Sequence, residues 1–313
     1  MASANPSNTK AMQFWNSGKT KEWLDLGIDL VIGKREGYYF WDMDGSKLMD
    51  VHINGGTYSL GHRNPEIIEA LTEAVKSVDI GNHHFPSPLK ALLAQTVINA
   101  SPKGDYLSQV KKLCEENGAL YIADEVQTGL LRSGKMWCIE TYGVTPDIIV
   151  SSKGFSGGIY PISCVILNEK ASRWMTQDGS AHMATFGGSE LGCACALKVF
   201  EILGRDETKK NVEFVSKYLR NGLEQIKSDN PDTFVGIRQN GLIMGLEFAG
   251  ASGAVAAMQH LYKNGVWAIY SQLDPSVLQF KPGVLVTKEY CDELLEKMAK
   301  GISEAKDDIL SQL

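Results

Sequence analysis

Two stretches of this chain place reactive side chains at the ends of short apolar runs. The first run, Ala119-Leu-Tyr-Ile-Ala123, is bounded by Gly118 and Asp124, as a central parallel strand would be, and leads into Asp124-Glu-Val-Gln-Thr-Gly129. The second, Asp147-Ile-Ile-Val-Ser151, delivers Ser152-Lys153-Gly154 and then the glycine-rich Ser156-Gly157-Gly158. Ligands of parallel α/β sheets bind outside the carboxyl ends of the strands, so Asp124 and Lys153 are expected along one edge. A buried carboxylate there needs a cationic partner, because burying an unpaired charge is very costly. An amine in a desolvated pocket has a lowered pKa and becomes a nucleophile toward aldehydes. Taken singly, Asp124 reads as a turn or helix-capping aspartate, and Lys153 as a surface lysine. Taken together they suggest a Schiff-base lysine and an acid that protonates a pyridine ring, which is the pyridoxal phosphate arrangement.

The elements that must position these residues follow from periodicity and punctuation. Tyr38-Tyr-Phe-Trp-Asp-Met-Asp-Gly45 reads as strand, turn, strand around Asp44-Gly45. Residues 65–78 start at a proline and put Ile67, Ile68, Leu71, Ala74, Val75 and Val78 on one helical face; a second helix is expected over 87–98. Tyr106–Asn117 is predicted helical, and Ile162–Leu167 repeats the texture of the two buried runs. Long helices are predicted over 190–203 and 208–228. Then come strands at 234–238, 242–248, 266–270 and 277–280, and a helix at 253–264. A closing helix over 288–310 carries the stripe Leu294, Leu295, Met298, Ile302 and Ile309. The expected architecture is α/β: a large domain over 61–230 with a mainly parallel sheet, and a smaller α+β domain from the chain ends, 1–60 and 231–313.

Composition excludes several classes. The 313 residues hold 31 Lys and Arg against 37 Asp and Glu, a net charge of −6, without basic runs, which argues against nucleic acid or an anionic membrane as partner. The six cysteines, at 114, 138, 164, 193, 195 and 291, form no C-x-x-C pair, so no metal site is expected and reduced thiols are. No apolar leader opens the chain and no stretch of 18 apolar residues occurs, so a soluble cytoplasmic protein is expected.

From about Gly37 onward the motifs run in a familiar order: Tyr38–Gly45, Leu60-Gly-His-Arg-Asn-Pro65, Asp124-Glu-Val-Gln-Thr-Gly129, Arg132-Ser-Gly134, Thr145-Pro-Asp147, Ser152-Lys-Gly154 and Thr185-Phe-Gly-Gly188. In this the chain resembles the class III aminotransferases, fold-type I pyridoxal-phosphate enzymes. The resemblance implies that Lys153 forms the Schiff base with pyridoxal 5'-phosphate and moves the proton between substrate and cofactor. Asp124 would pair with the pyridinium nitrogen, Val126 would pack on the ring, and Gln127 would bond near its phenolic oxygen. Thr185 would reach the phosphate of the neighbouring subunit, implying a homodimer. His62 and Asn54-Gly-Gly56 would line the entrance, although His62 reads equally as a satisfied loop histidine.

Two departures qualify the resemblance. Many members clamp a substrate carboxylate with an arginine in a motif like L-R-x-x-P-P; here Leu278-Gln-Phe-Lys-Pro-Gly283 puts Gln279 at that position, and an amide supplies no charge. Lys281 stands close by and could partly substitute for that charge, but reads first as a surface residue. The second departure is an internal gap after about residue 100. Ala100-Ser-Pro-Lys-Gly104 leads straight into the helix before Asp124, without the family's phosphate-binding turn or its ring-stacking aromatic. The expected activity is amino-group transfer between an amine or amino acid and a keto acid or aldehyde. Two alternatives stay open: a lyase or aminomutase using the same cofactor, and a shortened non-catalytic subunit that pairs with a full-length chain.

Overall fold

The computed structural model describes residues 17–80, 87–98, 106–178, 182 and 184–311. Helix α1 (Ser17–Asp25) precedes β1 (Ile32–Glu36), β2 (Tyr39–Asp42) and β3 (Lys47–Asp50). Three helices follow, α2 (Pro65–Ala74), α3 (Pro88–Ile98) and α4 (Tyr106–Glu116), and then β4 (Ile122–Asp124), β5 (Ile148–Ser151) and β6 (Cys164–Leu167). After α5 (Glu169–Gln177), α6 (Glu190–Gly204) and α7 (Asp206–Asp229) comes the hairpin β7 (Phe234–Asn240) and β8 (Ile243–Phe248). The chain closes with α8 (Gly253–Lys263), β9 (Val266–Trp267), β10 (Ile269–Tyr270), β11 (Val277–Phe280), α9 (Lys288–Glu304) and α10 (Lys306–Leu310).

Three sheets result, ordered β1-β2-β3-β9, β10-β11-β8-β7 and β4-β5-β6. The third carries the reactive residues. β4 and β5 are parallel, with Asp124 opposite Val150, whereas β6 returns antiparallel to β5. The texture of Ile162–Leu167 had suggested another parallel strand. The chain instead turns back through a short helical turn at Lys153–Ser156, without the long crossover that parallel pairing requires. The stretch 266–270, expected as one strand, is split at buried Ala268: β9 runs parallel to β3, and β10 joins β11 in a different sheet.

β4 is an edge strand rather than a central one, with Leu120 41% and Ile122 55% exposed. Unpaired edges with outward apolar side chains are unusual in a folded protein. This one is the first strand after the internal gap inferred from the sequence.

Packing behind the sheet comes mainly from α6, whose buried face of Cys193, Cys195, Ala196, Val199 and Ile202 meets α2 and α3. α2 starts as its sequence dictates: the Asn64 side chain accepts from the N–H groups of Glu66 and Ile67, and Pro65 occupies the first helical position. In the C-terminal part the outer stripe of α9, Leu294, Met298 and Ile302, is fully buried against α7 and α8. Among the described residues no helix is long and apolar enough to cross a membrane.

The β7–β8 turn packs directly on the Arg132–Ser133 backbone. Gly241 has φ +61°, and Leu242 N–H donates to Arg132 C=O at 2.7 Å. A methyl at 241 would sit 2.5 Å from the carbonyl carbon of Ser133 and 2.6 Å from the Arg132 oxygen, both backbone atoms that cannot step aside. Gly241→Ala is therefore expected to lower unfolding free energy by about 1–3 kcal/mol. Gly204→Ala, where an added methyl meets open space, serves as control and should leave stability unchanged or slightly higher. Urea titrations of the two variants check the contrast.

Candidate active site

Asp124 and Lys153 stand at the carboxyl ends of neighbouring parallel strands. The ladder continues one step past β4, with Glu125 N–H donating to Val150 C=O at 2.9 Å. Lys153 then opens the turn out of β5 with φ +52°, a left-handed conformation uncommon outside glycine. The loop facing it is built the same way: Ile53, Asn54, Gly55 and Gly56 all have positive φ. Such strain persists only where surrounding structure imposes it. Here the loop lies against the lysine, because a methyl at Gly55 would sit 3.2 Å from Lys153 Cε. A cleft of 520 Å³ opens beside Lys153, lined also by Thr57, Ser152, Ser156, Tyr160 and Ser163.

The Asp124 side chain is exposed, and its Oδ1 accepts from Val126 N–H at 3.0 Å. The sequence led us to expect a buried carboxylate; the bare β4 edge leaves it open. Glu125, which sequence reasoning passed over, is the buried member of the pair at 3% exposure. Its carboxylate accepts from Thr128 Oγ1 and from the N–H groups of Cys138 (3.0 Å) and Ile139 (2.7 Å). It thereby fixes the loop that presents Val126 and Gln127.

Lys281, read from sequence as a surface residue, is 7% exposed. Its backbone N–H donates to Val51 C=O at 2.7 Å, and its ammonium donates to Gln127 Oε1 at 3.1 Å and Gln279 Oε1 at 2.5 Å. β11 ends at Phe280, whose ring enters the core, so the next side chain turns back over the site. Burial, with Arg132 and Lys153 nearby, pushes its pKa down to about 8. Gln127, Gln279, Lys281 and Lys153 thus gather in one place. Gln279 also donates to Tyr270 C=O at 3.2 Å, which holds its amide in the sheet.

His62 lies behind the cleft rather than at its entrance. It is 5% exposed, its Nε2 is 2.8 Å from Asp50 Oδ2, and Tyr58 packs over its ring with centroids 4.0 Å apart. Asp50 Oδ1 meanwhile accepts from Ile53 N–H at 2.6 Å, so the pair braces the strained 53–56 loop. Thr185 is exposed on the turn before α6 and, among the described residues, bonds to none of the other site residues.

These positions test the fit of pyridoxal phosphate. At the ring end a lysine, a carboxylate at the adjacent strand end and an amide side chain are in place. At the phosphate end, among the described residues, no α-helix begins in the lining of the cleft, which beside Lys153 offers the hydroxyls of Thr57, Ser152, Ser156, Tyr160 and Ser163. Among the described residues there is no cluster of metal-binding side chains.

A sequence model of the family described as aminotransferase class-III matches residues 98–302. The chain belongs to the class III aminotransferases. It is 33% identical to an uncharacterized aminotransferase of Archaeoglobus fulgidus, with 90% of each chain covered. That alignment is 382 positions long against a chain of 313 residues, so at least 69 of the relative's positions have no counterpart here. The internal gap inferred from the motifs agrees with this. A putrescine aminotransferase of Pectobacterium atrosepticum is 32% identical over 66% of this chain and 42% of its own length. An acetylornithine aminotransferase of Caldanaerobacter subterraneus subsp. tengcongensis is 34% identical over 67% of this chain. The chain spans under half the length of these two relatives, 42% and 49%.

Solved structures agree on the fold. A transaminase from the marine bacterium Virgibacillus superposes with a TM-score of 0.88 at 16% identity, covering 97% of this chain and 100% of that one. The N-acetylornithine aminotransferase of Stenotrophomonas maltophilia gives 0.78 at 21% identity, covering 88% and 96%. The architecture is that of the fold-type I aminotransferases.

His52 supplies a pH test of the site. Burial foremost, and then the Lys281 charge, push its pKa down to about 4, against an opposing pull from Asp50; its Nδ1 has no hydrogen-bond partner. Between about pH 6.5 and 4 the unfolded chain therefore binds a proton that the folded chain does not, and stability rises with pH across that window. The chain is expected to lose roughly 1–3 kcal/mol from this group as pH falls from 6.5 to 4. Denaturant titrations at several pH values should show His52→Gln removing that part of the slope.

Proposed function

We propose that this chain is a pyridoxal-phosphate-dependent aminotransferase that moves an amino group between an amine or amino acid and a keto acid or aldehyde. The observation that carries this reading is the placement of Lys153 and Asp124 at the ends of hydrogen-bonded parallel strands, with Gln127 beside them. The bound cofactor supplies an electrophilic aldehyde and an electron sink. The chain supplies the rest. Lys153 Nζ is the attachment point and the group that takes and returns the proton of the substrate's amino-bearing carbon. Asp124 would pair with the ring nitrogen and keep it protonated, since a neighbouring carboxylate favours the charged form. Val126 would support one ring face, and Gln127 would bond near the phenolic oxygen. Thr185 serves the phosphate of a second copy, so the working form is a homodimer, and the setting is cytoplasmic.

Acetylornithine and putrescine relatives support amino donors of the diamine or amino-acid kind. The exposed edge of β4 favours one rival reading, a subunit active only beside a complete chain. Turnover by mixed dimers, with none by the pure chain, would establish it.

Borohydride reduction in the presence of cofactor, followed by peptide mapping, is expected to place the label on Lys153. Lys281 is the informative alternative, because it is a buried amine close to Lys153; a label there would overturn the assignment. Asp124→Asn should still be labelled at Lys153, while amine-dependent conversion of the cofactor falls by at least about a hundredfold. An undiminished rate in that variant would contradict the role given to Asp124.

A further inference from the structure

The segment that follows β3 lies on the turn carrying Lys153 with almost no side chain between the two backbones. A methyl at Gly154 would sit 3.1 Å from the Gly56 carbonyl oxygen, and one at Gly158 would sit 2.6 Å from the Tyr58 ring. A methyl at Gly55 would sit 3.2 Å from Lys153 Cε. Three glycines therefore let residues 55–58 seat directly on residues 153–158. That seat requires φ of +45° at Ile53 and +49° at Asn54, a region that a β-branched residue rarely enters.

What imposes this conformation stands outside the cleft. Asp50 ends β3, and its Oδ1 accepts from the N–H groups of His52 (3.1 Å) and Ile53 (2.6 Å). Its Oδ2 is 2.8 Å from His62 Nε2, the only hydrogen bond of that imidazole among the described residues. A carboxylate only accepts, so Nε2 is the donor. The His62 backbone in turn exchanges hydrogen bonds with Gly37. Residues 50 and 62 are thus two fixed posts joined by one buried bond, with the strained segment strung between them. Neither lines the cleft.

We propose that Asp50 and His62 are positioning residues for Lys153: their hydrogen bond holds residues 53–58 on the lysine stem and so fixes where its amine sits. The proposal rests on the reading of Lys153 as the attachment lysine and adds what aligns it. Without the bond, Ile53 and Asn54 return to negative φ and Gly55 withdraws from Cε. The half-buried stem, flexible over four carbons, then regains its rotamers. Its amine becomes easier for a small reagent to reach and worse aligned for a bound aldehyde.

The full chain without cofactor is methylated with formaldehyde, with cyanoborohydride as hydride donor, and rates at each lysine are read by peptide mapping. His62→Phe keeps a ring under Tyr58 but offers no N–H. It is expected to raise the Lys153 rate several-fold, while Lys111, a half-buried lysine of α4, keeps its rate. His62→Gln restores an N–H donor and should return Lys153 to the native rate. Borohydride labelling across a pyridoxal phosphate titration should move the other way. Half-labelling of Lys153 in His62→Phe is expected to need about ten- to a hundredfold more cofactor, most of which His62→Gln recovers. Met298→Ala, a cavity in the buried stripe of α9, controls for stability and should alter neither readout. An unchanged Lys153 in His62→Phe, a parallel rise at Lys111, or no recovery in His62→Gln overturns the proposal. Should His62→Phe fail to fold, Gly55→Ala presses a methyl on the same stem, and pyridoxal phosphate labelling as strong as native would overturn it. Failure of the aminotransferase reading looks different: Lys153 methylation still responds to His62, but pyridoxal phosphate labels Lys153 in no form of the chain.

Discussion

The site depends on one piece of hydrogen bonding, the parallel pairing of β4 with β5. That pairing sets Asp124 opposite Val150 and so brings a carboxylate and Lys153 to the same sheet edge. Everything nearby reinforces it. Glu125 ties the loop after β4 to the backbone at 138–139, and the strained 53–56 loop seats against the lysine stem. The His62–Asp50 pair braces that loop from behind. Chemistry that needs two groups at fixed separation is served better by a rigid sheet than by flexible loops.

The second organising feature is an excess of positive charge. Lys153, Lys281 and Arg132 converge, while the buried carboxylates nearby are engaged elsewhere, Glu125 by backbone N–H groups and Thr128, Asp50 by His62 and Ile53 N–H. Low local dielectric makes such an imbalance expensive by itself and favourable for an anionic ligand. His52 responds to the same field and is held neutral by it and by its burial.

Much of this was legible in the sequence, for identifiable reasons. Asp124 and Lys153 each follow a short apolar run, and position at a strand end is a local property. The caps and stripes of α2, α6 and α9 are local too. What the sequence hid depends on distant contacts. The burial of Lys281 follows from its bond to Val51, 230 residues earlier, and from the turn after Phe280. The placement of His62 behind the loop follows from Asp50 and Tyr58. The antiparallel return of β6 is a matter of connection length, to which strand texture is blind. The exposure of the β4 edge and of Asp124 was not legible in the sequence.

If Lys153 is the attachment point for the cofactor, binding should depend on it. Absorbance titration of the pure chain with pyridoxal phosphate, beside Lys153→Ala, tests it most directly. The expected result is a bound-cofactor band that saturates with added cofactor and is absent from Lys153→Ala. A band of equal strength in Lys153→Ala, or no band in the native chain at any cofactor concentration, would contradict the claim.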